Sequence, residues 1–232
     1  MKLKLVEKIK EAKDTKSFVW EPQSKVSYLP GQFYYFTLPK LAYPDSRGST
    51  RHFTLSSSPT EGDLLKFTTR IREGSGFKKT LDEMSVGDVI EGEGPNGTFV
   101  FDEKEAGHHV FIAGGIGITP FRSILKYVSD KKLPNKIYLI YSNSDSDFVF
   151  GKELKEIDYK NGTVSIEFFD SSKHGHLDEL NIRRFISNWK LELGDLTFWL
   201  CGPPQMVSAI EQILGKLGVS AGRVRSEKFT GY

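Results

Sequence analysis

The chain is poor in the residues that make cross-links and spans. Cys201 is its only cysteine among 232 residues. That excludes an internal disulfide framework and any iron–sulfur cluster held by the chain's own cysteines, and it points to a reducing, cytoplasmic setting. No run approaches the roughly 18 apolar residues of a membrane span. The opening residues, MKLKLVEKIK, alternate charged and apolar side chains and lack the apolar core and cleavage site of a signal peptide. Charge of one sign is also scarce: 32 Lys and Arg face 30 Asp and Glu, for a formal net charge of +2. Long like-charge blocks are missing, which argues against a nucleic-acid arm or an acidic tail. Basic residues that matter must therefore act locally. Neither internal repeats nor low-complexity segments occur.

Aromatic side chains, by contrast, are plentiful, with 17 Phe, and the 38% apolar content is enough for substantial cores. At this length two domains are expected, and two textures meet near residue 103. Before it lie short β-type runs at 3–9, 17–22, 32–38, 52–57, 63–71 and 89–95, punctuated by Pro30-Gly31, Arg47-Gly48, Glu61-Gly62 and Asn96-Gly97. This spacing predicts a small antiparallel barrel. Phe77, Leu81 and Met84 recur at helical spacing and predict one helix within it. After residue 103, apolar strands at 109–115, 136–143, 164–170, 196–202 and 223–229 alternate with helices near 119–131, 151–158, 178–187 and 203–217. That pattern predicts a parallel, doubly wound sheet covered on both faces, with ligands beyond the carboxyl ends of its strands.

Four stretches carry the chemistry. In RHFTLSSSP (51–59) a cation, a ring and a group of hydroxyls fall within a few residues. Arg51 can bind a phosphate, and Phe53 shares its strand face and offers a ring to a flat heterocycle. Thr54 and Ser56 or Ser57 offer hydroxyls; the plainer alternative is a half-buried strand with a solvated arginine. GSGFKK (74–79) enters a helix through glycines, a second anion site unless Lys78 and Lys79 are merely solvated helix-surface residues. AGGIGITPF (113–121) joins a strand to a helix. Its glycines admit a ligand to the backbone, Thr119 before Pro120 can cap, and the helix N-terminus suits a pyrophosphate. The plainer reading is a tight strand–helix turn. CGPPQM (201–206) repeats that arrangement on another strand, where a lone cysteine is more often a small buried hydrophobe than a catalytic group.

Taken in order, PGQF (30–33), RHFTLSSSP, REGSGFKKTL (72–81), GDVIEGEGPNGTF (87–99), AGGIGITPF, YSN (141–143), CGPPQM and E-x-F (227–229) resemble the ferredoxin–NADP reductase superfamily over essentially the whole chain. The resemblance implies a flavin-binding antiparallel β-barrel of Greek-key type over 1–103, followed by an NAD(P)-binding α/β domain over 104–232. It implies Arg51 on the flavin pyrophosphate, Phe53 against the isoalloxazine, the Thr54 hydroxyl near flavin N5, and contacts from His52 and Ser57. Thr69 and Ile71 would line the same site ahead of the glycine turn. Gly74, Gly76, Phe77 and Lys78 would meet phosphate, with Lys78 standing where the family usually has Ser or Thr. Gly114, Gly115, Gly117, Thr119 and Pro120 would contact the nicotinamide ribose and pyrophosphate. Ser142 and Asn143 would flank them, and Cys201, Gly202, Pro203 and Met206 would lie near the nicotinamide. Thr54, Cys201 and Glu227 would serve catalysis. Phe229, or else Tyr232, would stack on the flavin; Tyr232 and the segment 41–50 are the candidates for the adenine half.

The implied cofactor is FAD, with FMN the minor option, and the cosubstrate is NADH or NADPH. After YSN the chain carries Ser144, Asp145 and Asp147 where relatives often place an arginine. Carboxylates there repel a 2′-phosphate and accept from a ribose hydroxyl, which favours NADH, although Lys152 can reach in from the following helix. No metal is expected. The expected activity is hydride transfer from NAD(P)H to FAD, with electrons passed to ferredoxin, flavodoxin or an oxygenase. The alternatives are reduction of a small acceptor (free flavin, quinone or ferric chelate) and, last, a non-autonomous electron-transfer subunit. Relatives of that last kind usually carry a cysteine cluster, which this sequence lacks.

Overall fold

The computed structural model describes residues 1–105, 107–160 and 162–230. The chain divides into two compact units, Met1–Phe101 with Arg122–Tyr127, and Asp102–Phe121 with Val128–Tyr232.

The first unit is a six-stranded antiparallel sheet of β1 (Lys2–Ala12), β2 (Thr15–Pro22), β3 (Phe33–Thr37), β4 (Thr50–Thr54), β5 (Leu65–Arg70) and β6 (Val89–Asn96), in the order β4-β3-β6-β1-β2-β5. Its two edges, β4 and β5, meet just past β4 at one isolated bridge, Leu55 to Phe67. The sheet is therefore barrel-like without a continuous closing ladder. Alternation decides what is inside. Tyr34 and Phe36 of β3 are buried while Tyr35 between them is exposed, as a period of two requires. The inward side chains build an aromatic core: Phe67 stacks on Phe18 and Trp20. Burying each such ring stabilises the fold by roughly 1.5–3 kcal/mol. The expected helix, α1 (Gly76–Glu83), buries Phe77 and Leu81 against this core.

In the second unit, β7 (His108–Gly114), β8 (Lys136–Asn143), β9 (Val164–Asp170), β10 (Leu196–Gly202) and β11 (Val224–Lys228) form a wholly parallel sheet in the order β11-β10-β7-β8-β9. The connecting helices are α2 (Ile118–Lys131), α3 (Gly151–Lys160), α4 (Ser171–His174), α5 (Glu179–Asn188) and α6 (Pro204–Lys216). Val110, Ile112, Phe198 and Leu200 are fully buried, which explains why these strands read as unbroken apolar runs. From β7 the chain winds through β8 to β9 on one side and continues with β10 on the other. The strand order thus reverses between β7 and β10, where such a sheet opens its ligand crevice. No described helix is long and apolar enough to cross a membrane.

Candidate functional site

In the first unit, cations gather around the N-terminus of α1. Arg51 enters this place from β4, with its guanidinium 5.2 Å from the Phe77 ring. Its Nη1 donates to the carbonyls of Arg47, Gly48 and Thr50, and its Nη2 to the Asp45 carboxylate at 2.5 Å. Lys78 follows on α1 and is 7% exposed. Burial, and then the charges of Arg72, Arg47, Arg51 and Arg70, push its ammonium down to about 8. Lys78 is therefore not a solvated surface residue, as half of the sequence reading allowed. Lys78 with Arg47, Arg51, Arg70 and Arg72 thus concentrates positive charge at the N-terminus of α1, which suits a polyanion.

The other side chains of RHFTLSSSP divide by depth. The half-buried Phe53 ring stacks on Phe67, with centroids 4.4 Å apart and planes at 4°. His52 points to the other face, 5.2 Å from Phe33 and 5.8 Å from Tyr35. Thr54 is buried opposite Phe33. The serines that follow are built into the turn. Ser56 Oγ bonds Thr68 Oγ1 and the Lys66 carbonyl. Ser57 Oγ accepts from the Tyr28 hydroxyl and the Lys66 N–H. The Ser56 and Ser57 carbonyls accept from Arg122 and from the Ser123 hydroxyl, and Arg122 also forms a two-pronged ion pair with Glu61. Ser57 is thereby held by tertiary bonds. Thr69 is buried in β5 and pairs with Lys16, while the Ile71 N–H donates to the Asp14 carbonyl. At Gly74 an added Cβ would meet open space, whereas at Gly76 it would meet the carbonyl oxygens of Pro44 and Tyr43 at 2.3 and 2.5 Å.

In the second unit the ends of β7 and β10 come together. A Cβ on Gly117 would lie 2.3 Å from the Cys201 carbonyl oxygen, and one on Gly114 the same distance from the Met206 sulfur. A Cβ on Gly202 would lie 3.1 Å from the Gly114 backbone. These three glycines let the strand ends pack on each other, a second reason for them beside ligand approach. Gly115 differs: φ is +53° and the nearest atom to an added Cβ is Asn143 Oδ1 at 3.8 Å, so backbone there faces open space. Thr119 does not cap α2. The helix begins at Ile118 with Gly117 in the cap position, and Thr119 Oγ1 donates back to the Ile116 carbonyl from within the first turn. Pro120 follows in that turn, and α6 starts at Pro204 with Pro203 as its cap. Both helix starts thus lie at the strand ends.

Cys201 is fully buried, and burial together with the Glu227 carboxylate pushes its thiol up. Glu227 lies opposite it on β11. Its Oε2 is buried without a hydrogen-bond partner, and burial pushes its carboxyl up to about 7. Just past that strand, the half-buried Phe229 donates its N–H to the Gly202 carbonyl at 3.0 Å. Tyr232 lies outside the described residues. At the end of β8, Ser142 is in register with Gly114, and both Ser142 and Asn143 are buried. The Asn143 amide donates to Asp145 Oδ1 at 2.9 Å, which also accepts the Asp147 N–H.

Sequence reasoning thus brought Arg51, Phe77 and Lys78 to one place, and Gly114–Thr119, Cys201–Met206, Glu227 and Phe229 to another. It missed Asp45, Arg47, Arg70, Arg72, Tyr28, Glu61 and Arg122, whose roles depend on contacts distant in sequence. The loop that carries Asp45 and Arg47 was marked by the Arg47-Gly48 turn signal and by the assignment of 41–50 to the adenine half.

Residues 2–101 match the family described as an oxidoreductase FAD-binding domain, and residues 111–212 the family described as an oxidoreductase NAD-binding domain. The ferredoxin reductase component of 3-ketosteroid-9-alpha-monooxygenase from Rhodococcus rhodochrous is 30% identical over 230 residues, which cover 95% of this chain and 62% of that protein. Among solved structures, the flavohem-like FAD/NAD binding domain of nitric oxide dioxygenase from Vibrio cholerae O1 biovar El Tor has a TM-score of 0.81 at 21% identity, covering 98% of each chain. Ferredoxin-NADP+ reductase from Plasmodium falciparum has a TM-score of 0.78 at 18% identity, covering 98% of this chain and 95% of that one. The chain spans about three-fifths of the length of the curated relatives it matches.

Proposed function

We propose, since the chain belongs to the ferredoxin–NADP reductase superfamily, that it is a flavin-dependent NAD(P)H oxidoreductase passing electrons to a separate acceptor. The observation that carries this reading is the seat at α1. In a chain of net charge +2, the buried Lys78 and the charges of Arg72, Arg47, Arg51 and Arg70 meet at the start of α1. That concentration of positive charge suits a flavin diphosphate. FAD, which carries two phosphates, fits it better than FMN. When bound, the flavin supplies the redox chemistry, taking a hydride from the nicotinamide and releasing electrons singly or in pairs.

The residues of this chain orient and shield. Arg51 and Lys78 hold the diphosphate. Phe53, fixed by Phe67 behind it, presents a rigid ring edge to the flavin, and Thr54 a hydroxyl. In the second unit, the Gly115 backbone and the N-terminus of α2 receive the dinucleotide phosphates. Cys201 acts as an inert packing surface and Glu227 as a carboxyl that holds a proton near neutral pH. Phe229, half-buried just past β11, is the aromatic assigned to cover the reacting face. The turn after β8 carries Asp145 and Asp147 and no Lys or Arg, which supports NADH over NADPH. An oxygenase component or its ferredoxin is the favoured acceptor, by analogy with the relative named as a ferredoxin reductase component.

The test is retention. The purified chain, incubated with FAD and passed through gel filtration, should keep a stoichiometric flavin. A chain that elutes without flavin overturns the proposal.

A further inference from the structure

The residues that follow Thr54 are fixed one by one. The Leu55 N–H donates to the Gln32 carbonyl at 3.0 Å, and the Ser56 and Ser57 N–H groups donate to the Lys66 carbonyl at 2.7 and 3.1 Å. The Ser58 N–H donates to Glu61 Oε2 at 2.6 Å. Two side chains from residues 122 and 123, which belong to the first unit, take the carbonyls. Arg122 Nη1 donates to that of Ser56 at 2.8 Å, and Ser123 Oγ to that of Ser57 at 2.6 Å. Arg122 also grips Glu61, through Nη1 to Oε2 and through Nη2 to Oε1 at 2.8 Å. One guanidinium thus closes a ring of bonds from the Ser56 carbonyl through Glu61 to the Ser58 N–H. Its side chain is 3% exposed, and Ser56 and Ser58 are fully buried. Thr54 differs: it is buried, yet its hydroxyl makes no hydrogen bond to another described residue.

We propose that Arg122 is a positioning residue for the flavin: without touching the cofactor, it holds the segment after Thr54 in the one arrangement that presents the Thr54 hydroxyl and the Phe53 ring to the isoalloxazine. This rests on the flavin reading given above. The reason is energetic. A buried guanidinium–carboxylate pair recovers little more than its desolvation cost, so an apolar pair of similar volume would stabilise the turn as well. What the pair adds is geometry. The planar fork accepts a carboxylate in one orientation and leaves Nη1 facing one carbonyl. A shift at Ser56 would strain its bonds to Arg122 and Lys66 and the Ser58–Glu61 bond together. The two residues assigned to the flavin stand at the open end of this block. Phe53 is backed by Phe67, with planes at 4°, and Leu55 is bridged to the same Phe67. Thr54 between them has its backbone fixed and its hydroxyl free for a ligand.

The test compares the flavin-free chain with its Arg122→Lys variant, which keeps the charge and loses the fork. FAD affinity is measured by fluorescence titration at low and at high salt, and the visible absorption band of the bound FAD is recorded. The variant should bind FAD at least about tenfold more weakly, the scale of losing an outer partner that orients a binding group. The factor should be the same at both salt concentrations, and the band of the bound FAD should move towards that of free FAD. Unchanged affinity, or an unchanged band, means that Arg122 only stabilises the turn and overturns the inference. A loss that shrinks at high salt means that the charge acts on the phosphates directly, and overturns it too. Where Arg122→Lys does not fold, Ser123→Ala takes its place, since it removes only the bond to the Ser57 carbonyl. It should show the same band shift, and an unshifted band overturns the inference. A parent chain that binds no FAD overturns the flavin reading and this inference with it.

Discussion

Glu227 and Cys201 lie side by side in register on adjacent parallel strands, and neither offers the other a hydrogen bond that satisfies it. The carboxyl is pushed up to about 7 and the thiol is pushed up as well. The pair is uncharged below neutral pH and gains one buried charge above it.

Stability should reflect that charge. Unfolded, Glu227 ionises near 4.5; folded, it ionises near 7. The unfolded state loses its proton first, so the folded state loses stability as pH rises through this window, and the whole loss is present above it. The shift corresponds to about 3 kcal/mol. A Glu227→Gln variant lacks the penalty, so its stability relative to the parent should grow by about that amount between about pH 4 and pH 8. Urea unfolding at the two pH values reads this, and a pH-independent difference would refute it.

Lys78 makes flavin binding depend on pH as well. Its ammonium is held down at about 8 in the flavin-free chain, and a bound diphosphate would raise it. Binding should therefore take up a proton above about pH 8 and weaken as pH rises further. Calorimetry in buffers of different ionisation enthalpy measures the uptake. Proton release, or none, would contradict the placement of phosphate beside Lys78.

Arg51→Ala removes the one guanidinium that β4 contributes to the seat. Flavin affinity should fall at least about tenfold, the scale of a lost charge-assisted hydrogen bond. Undiminished affinity in fluorescence titration would remove Arg51 from the site.

Arg122 is 3% exposed and joins Glu61 to the Ser56 carbonyl. Arg122→Ala leaves a carboxylate and a carbonyl short of partners and should cost about 3 kcal/mol in urea unfolding. A cost below about 1 kcal/mol, the range of a surface pair, would show that the network is not dry.

Glycine substitutions separate packing from flexibility. Gly117→Ala places a methyl 2.3 Å from the Cys201 carbonyl oxygen, whereas Gly74→Ala meets open space. The first should destabilise by about 2 kcal/mol through overpacking, and the second by little. Equal effects in thermal unfolding would mean that the β7 and β10 ends are not in contact.

Much of this was legible in the sequence because its signals are local. The change from alternating strands to unbroken apolar ones placed β1 to β6 in an antiparallel sheet and β7 to β11 in a parallel one. Glycine pairs at strand ends located the crevice between β7 and β10. What escaped was set by closure over distance. Nothing near Asp45 shows that its loop folds back onto α1 some 30 residues later. The charges that push the Lys78 ammonium down come from arginines outside α1. Thr119 looked like a helix cap because it precedes a proline, but the preceding 3₁₀ turn at Gly115–Gly117 moves the helix start back to Ile118. The hydroxyls of Ser56 and Ser57 looked available to a ligand until Thr68, Tyr28 and Lys66 were found against them.

The central claim, that this chain moves a hydride from a nicotinamide to a bound flavin, is tested most directly by anaerobic titration of the FAD-reconstituted protein with NADH and, separately, NADPH, followed at the flavin absorption band. The account predicts stoichiometric bleaching, reached faster with NADH than with NADPH. A flavin band left unchanged by both would contradict it.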